Sequence, residues 1–293
     1  MLKPKYILPV LACIGLWSPV LPAFSQALLP YSLDIKSEQL EQAGLEMAED
    51  AIQLARFQRV DAAISRAKLS TQLAPKIYQT WFILGSLYLQ QNQVDAGIEA
   101  LQKAQDLQPG EANIKFSLGS AYFQKGDYKG AISHLEEGLK IKSDSAPALF
   151  DLGNSLLKLE RYGEAIAAYE KAVKANKDFW PAINNIGLIK YEQGDTAGAI
   201  QQWQRALSID KEQAEPMLAI AVALHKQGKT EEALKTGKSA LTLDGRYSKI
   251  KFLSENLWGT RLLKDTESFL DLPTMKALLL QIENQPPVES GKM

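Results

Sequence analysis

Residues Tyr78 to Pro109 read YQTWFILGSLYLQQNQVDAGIEALQKAQDLQP, and the same pattern begins again at Ala112, Ala146, Trp180 and Ala214, each 34 residues on. Gly85, Gly119, Gly153, Gly187 and Ala221 fall on that spacing, as do Leu84, Leu118, Leu152, Ile186 and Ile220. A second small-residue set, Gly97, Ala131, Ala165, Ala199 and Ala233, follows 12 residues behind the first. A third, Ala104, Gly138, Ala172, Ala206 and Ala240, follows 7 residues later. A fixed period in this range marks a stack of identical supersecondary units rather than one closed core.

Within each unit two apolar runs have helical spacing: Trp81, Leu84, Gly85 and Tyr88, then Gly97, Leu101 and Ala104. A short polar turn separates them, visible as Gly126-Asp127 and Gly194-Asp195. Small residues recur where two helices must approach closely. The expected unit is therefore an antiparallel helix pair that buries its apolar face only against its neighbours.

The run W-x-x-L-G-x-x-Y, followed by the two later small residues and a closing Pro109, resembles the tetratricopeptide repeat. Five copies cover 78–247, in units 78–111, 112–145, 146–179, 180–213 and 214–247. The resemblance implies an all-α, right-handed superhelical solenoid of antiparallel helix pairs. Departures are local. Lys190 stands where Tyr88 does, Ala221 replaces the glycine, and Gly237 empties the place held by Leu101, Tyr169 and Trp203.

The chain has 293 residues, 46% hydrophobic and 23% charged, the balance of a folded protein. Formal net charge is −1 and the isoelectric point about 6.2, which argues against nucleic acid as the main partner. Its first stretch reads as a targeting segment, residues 1–25. Lys3 and Lys5 open it, Tyr6 to Phe24 carries no charge, Pro19 and Pro22 interrupt any helix, and Ala23-Phe24-Ser25 offers a small-x-small cleavage pattern. An uncleaved membrane anchor is the alternative, because 19 uncharged residues nearly span a bilayer. Either reading places the repeats across a membrane, in a periplasm or a thylakoid lumen, soluble or membrane-associated. Loss of Lys3 and Lys5 takes the net charge from −1 to −3. Cys13, the single cysteine, leaves with the leader, so the mature chain has neither disulfides nor cysteine-based metal sites.

Residues 26–43 form a lead-in, and 44–77 a degenerate unit in which Ala51, Ala63 and Pro75 precede Gly85, Gly97 and Pro109 by 34. A divergent first unit suits an end cap with one face in water. Beyond Arg246 the period fades. Ser248 to Lys264 keeps helical apolar spacing, Asp265-Thr266 and Asp271-Leu272-Pro273 read as breaks, and Pro273 starts a last helix. Residues 248–284 are expected to cap the final repeat's apolar face, and 285–293 to be a disordered tail. The string ENLWGTRLLKDTESFLDLP, 255–273, is similar to the C-termini of tetratricopeptide proteins from cyanobacteria and plastids.

No catalytic constellation emerges. His134 and His225 are the only histidines, no glycine-rich phosphate loop follows a strand, and no His/Asp/Glu set has ligand spacing. No enzyme, cofactor or metal is expected. His134 reads as a surface residue or one packed between helices.

At 100° per residue, Trp81, Leu84, Gly85 and Tyr88 share the packed stripe, and Phe82, Ser86 and Leu89 lie about 130° away. Down the repeats that second face reads Phe116, Ser120 and Phe123, then Phe150, Asn154 and Leu157, then Asn184, Leu188 and Tyr191, with Asn185 beside it. In the resembled family this face lines a concave groove that binds peptides. The aromatics then supply contact area, and Ser and Asn bond an extended backbone. The competing reading has the phenylalanines wedged between helices or covered by a terminus. The family's chaperone-tail binders carry lysines in the groove to clamp a carboxylate, and Phe82 and Phe116 stand in their place here. The expected function is a non-catalytic scaffold holding a protein or peptide partner, with assembly of a membrane complex such as a photosystem as a plausible task. The alternative is self-association through Trp180, Trp203 or the Trp258 region.

Overall fold

The computed structural model describes residues 36–283, so the leader, most of the lead-in and the tail lie outside the described residues. Six helical hairpins follow one another: α1 (Ser37–Arg56) with α2 (Val60–Leu73), α3 (Tyr78–Gln90) with α4 (Val94–Leu107), α5 (Ala112–Lys125) with α6 (Tyr128–Ile141), α7 (Ala146–Lys158) with α8 (Tyr162–Ala175), α9 (Trp180–Glu192) with α10 (Thr196–Ile209), and α11 (Ala214–Lys226) with α12 (Thr230–Leu243). A 3-10 turn (Gly245–Ser248) leads to α13 (Ile250–Glu255), α14 (Thr260–Leu270) and α15 (Pro273–Glu283). All regular structure among the described residues is helical.

The 34-residue period reappears in the backbone. Gln58, Asn92, Gly126, Glu160, Gly194 and Gly228 all take positive φ, one at each turn inside a hairpin. That left-handed residue reverses the chain between the paired helices, and its recurrence at Gln58 puts the divergent first hairpin in register with the rest. Asp127 and Asp195 then cap the following helices, accepting from Gly130 N at 2.9 Å and Gly198 N at 2.8 Å.

Four of the six hairpins close on the glycine of their first helix. A Cβ on Gly85, Gly119, Gly153 or Gly187 would strike Leu101, Leu135, Tyr169 or Trp203 of the second helix, so a large side chain fills the room a small one leaves. The last hairpin breaks the rule. Opposite Ala221 stands Gly237, and the space is filled by Phe269 of α14, 2.6 Å from where a Gly237 Cβ would sit. The position emptied by Gly237 is thus supplied by the C-terminal segment, and Phe269 is fully buried there.

Helix α1 begins at Ser37, within 26–43, and runs 20 residues, longer than the other first helices. One boundary differs from the sequence reading. Asp265 and Thr266 are buried inside α14 rather than at a break, and the interruption falls at 256–259, where Leu257 has φ 69°. The Thr266 hydroxyl donates a hydrogen bond to Leu262 O at 2.7 Å, which keeps a β-branched polar residue inside the helix.

Candidate functional site

The first helices of neighbouring hairpins touch along one face of the stack, α1 on α3, α3 on α5 and α5 on α7. This is the face the wheel count selects, and its two ends differ.

On α3, Phe82 and Ser86 are half-buried and line a surface cavity of about 430 Å³ with Ile52, Ala55 and Leu87. The Ser86 hydroxyl donates to Phe82 O at 2.9 Å. On α5, Phe116 turns into its own hairpin: its ring edge lies where a Cβ on Gly138 would be, 2.5 Å away. Phe116 is a packing residue as much as a surface one, a correction to the wheel count. Ser120 reaches across to α7, donating to Asp151 Oδ2 at 2.9 Å, and Phe123 packs tilted against Tyr128 at 5.3 Å. Burial pushes the Asp151 carboxyl above the usual carboxylate range, against the Ser120 hydrogen bond.

On α7 and α9 the face becomes a polar network. Asn154 Oδ1 accepts from Tyr169 Oη at 2.8 Å and from Asn185 Nδ2 at 3.0 Å, and Asn184 Nδ2 donates to Asn185 Oδ1 at 3.2 Å. Phe150 packs between Tyr169 and Phe179, at 5.7 and 5.4 Å. Asn184, Asn185 and Tyr191 are buried. They were expected to face a partner along an open groove; the chain's own C-terminal segment takes up much of that face.

Asp265, Arg261, Leu262 and Trp258 tie the segment to the repeats. Tyr191 Oη donates to Asp265 Oδ2 at 2.7 Å, and Lys226 pairs with the other oxygen at 3.0 Å. The Arg261 guanidinium lies 4.9 Å over the Tyr191 ring and donates to Tyr191 O at 3.0 Å. Glu192 accepts from Arg261 N and Leu262 N at 3.0 and 2.9 Å, capping α14 from another hairpin because its own N-cap, Gly259, has no side chain. Trp258 Nε1 donates to Glu215 Oε1 at 2.9 Å, with both residues buried. Burial lifts the Glu215 carboxyl to about 7, and its hydrogen bonds from Trp258 and Asn184 oppose the rise.

Where the two ends meet, a cleft of about 230 Å³ is lined by Phe123, Phe150 and Asn154 on one side and by Glu215, Glu255 and Asn256 on the other. Asn184 and Asn185 form part of its wall. Of the expected groove residues, the cleft gathers five: Phe123, Phe150, Asn154, Asn184 and Asn185. Phe82, Ser86, Phe116, Ser120 and Tyr191 lie away from it. Sequence reasoning missed Asp151 and Glu215, gave Trp258 to self-association and read Asp265 as a break. The 34-residue register held a signal for one of them, since Ser117, Asp151 and Asn185 share a position beside the aromatic column.

His134 stacks on Tyr122 at 5.0 Å with its Nδ1 buried, and burial lowers its pKa. Among the described residues no three His, Cys, Asp or Glu side chains are placed to hold a metal, and no helix is long and apolar enough to cross a membrane.

This arrangement, a stack of helical hairpins with a lined face and a folded-back end, is that of a repeat solenoid. Tetratricopeptide-repeat profiles match residues 48–112, 84–147 and 122–186, and a further TPR-repeat profile matches 187–228. The chain belongs to the tetratricopeptide repeat family. Solved structures share its fold. PilW, described as a widely conserved type IV pilus biogenesis factor, is 19% identical, with 74% of this chain and 99% of that one covered and a TM-score of 0.65. The pilF protein of Pseudomonas aeruginosa is 15% identical over 74% of this chain and 97% of that one, with a TM-score of 0.62. YrrB, described as a TPR protein with an unusual peptide-binding site, is 16% identical over 66% of this chain and all of that one, with a TM-score of 0.51. No curated protein matches the chain in sequence.

Proposed function

We propose that this protein is a non-catalytic interaction scaffold that holds a segment of a partner protein along the α3–α7 stretch of its groove face. One observation carries the reading. The C-terminal segment packs on α9 and α11, whereas Phe82, Phe123, Phe150 and Asn154 stay partly exposed and line surface cavities. Partly exposed aromatics set beside amide side chains suit an extended or helical peptide. The charge-free leader from Tyr6 to Phe24 supports work beyond a membrane, in a periplasm or thylakoid lumen. With the likeness of residues 255–273 to cyanobacterial and plastid proteins, assembly of a membrane complex such as a photosystem is the finer reading.

Trp203 and Trp258 are buried within the chain, which leaves half-buried Trp180 for contact with a second copy.

Affinity capture from native extract, membranes included, with full-length tagged protein and a Phe123→Ser, Phe150→Ser variant tests the reading. A discrete set of membrane-complex subunits held by the wild type and released by the variant is expected. An identical set on both, or recovery of the protein alone, contradicts it.

A further inference from the structure

The cleft where the open and closed stretches of the groove meet has a chemistry of its own. Its walls are aromatic: Phe123, Phe150 and Trp180. Glu215 stands among its lining residues and Glu255 on its exposed side, and no Lys or Arg is among them. Glu255 pairs loosely with Lys251 at 3.8 Å, both well exposed, so its charge stays largely available. Asn184, only 1% exposed, lines the same cleft, and its Oδ1 has no hydrogen-bond partner among the described residues. A buried acceptor left unmet is unusual enough to need an explanation.

Each feature asks for the same group. Aromatic faces attract a cation, the exposed Glu255 carboxylate favours one, Glu215 adds to it once ionised, and an orphaned amide oxygen needs an N–H donor. A carboxylate entering here would meet like charge, and an apolar side chain would leave Asn184 Oδ1 unsatisfied. At about 230 Å³ the space is smaller than a typical small-molecule pocket and suits one side chain. We infer that this cleft receives a cationic side chain, arginine or lysine, from the partner segment lying along the groove. The inference rests on the groove reading and adds to it the residue type that fixes the segment's register.

The test uses blocked pentapeptides of alanine with arginine, lysine or citrulline at the centre, citrulline being the uncharged match of arginine in shape. Each is titrated into the full chain while the side-chain amide NMR signals of Asn154, Asn184 and Asn185 are followed. Arginine and lysine peptides should shift those signals saturably, with citrulline at least about tenfold weaker. Glu255→Gln, at an exposed site, should weaken the arginine peptide severalfold with melting unchanged, and above pH 7, where Glu215 is ionised, Glu215→Gln should weaken it further while its amide oxygen still accepts from Trp258. Citrulline binding as well as arginine overturns the cationic assignment and leaves the groove reading standing. No shift at the three asparagines with any peptide overturns the site itself, while partner capture continues to judge the groove.

Discussion

Two stretches of the same groove face have opposite fates. Along α3, α5 and α7 the hairpins are self-sufficient, each glycine matched by a large side chain of its own second helix. Along α9 and α11 the last hairpin lacks that side chain, and a segment from beyond the repeats delivers Phe269 to replace it. The difference shows how a solenoid ends. An interior hairpin buries its apolar face on the next hairpin, whereas the last must find another cover, and here the cover folds back across the binding face. Groove surface is given up at one end for stability, and recognition is left to the other.

The comparison is broken most forcefully at Phe269. Truncation to Ala should cost about 3–5 kcal/mol in denaturant unfolding, because it empties a fully buried site between α12 and α14. Gly237→Leu should destabilise by displacing Phe269, yet on the Phe269→Ala background the leucine should recover stability by filling the hole. A double-mutant cycle reads this coupling directly, and simple additivity would contradict the exchange of partners.

The next effect concerns pH. Glu215 ordinarily titrates at 4.5 and is raised to about 7 by burial. The folded state therefore holds its proton more tightly than the unfolded state. Its stabilisation is fully present below about 4.5 and is lost as pH rises to about 7. Across that window the wild type should lose on the order of 3 kcal/mol relative to Glu215→Gln in parallel melts. Equal slopes would show that the Trp258–Glu215 contact is solvated.

Smaller again is Glu192→Gln. It weakens the cap that α14 borrows from α9 and should cost about 1 kcal/mol, with the loss confined to the C-terminal stretch. The smallest expected effect has the opposite sign. Glu160 sits at φ 57° in the turn where other hairpins use Gly126, Gly194 and Gly228. Glu160→Gly should stabilise by roughly 1 kcal/mol in thermal unfolding, by relieving left-handed strain that glycine does not feel.

The solenoid was legible because its determinants are local and repeat: small residues at fixed offsets, and a short polar turn between two helical runs. The groove was legible only in part. A helical wheel places Phe116 relative to its own helix and cannot see that Gly138, on the partner helix, opens a slot for its ring. Burial of Tyr191 depends on Asp265, 74 residues further on, and no periodicity links the two. The same holds for Glu215 and Trp258, 43 residues apart. In sequence each is an isolated charge or aromatic, and only the fold-back makes them partners. The misplaced break at Asp265 has the same origin: an aspartate and a threonine suggest a helix end unless a tyrosine and a lysine from the repeats satisfy the buried carboxylate.

Amide hydrogen exchange across the full chain, wild type against Phe269→Ala, tests the division of the groove most directly. The account predicts that α9, α11 and α14 are protected together in the wild type and lose protection together in the variant. Helices α3, α5 and α7 should keep theirs. An α14 that already exchanges freely in the wild type, or a loss spread evenly over all six hairpins, would contradict it.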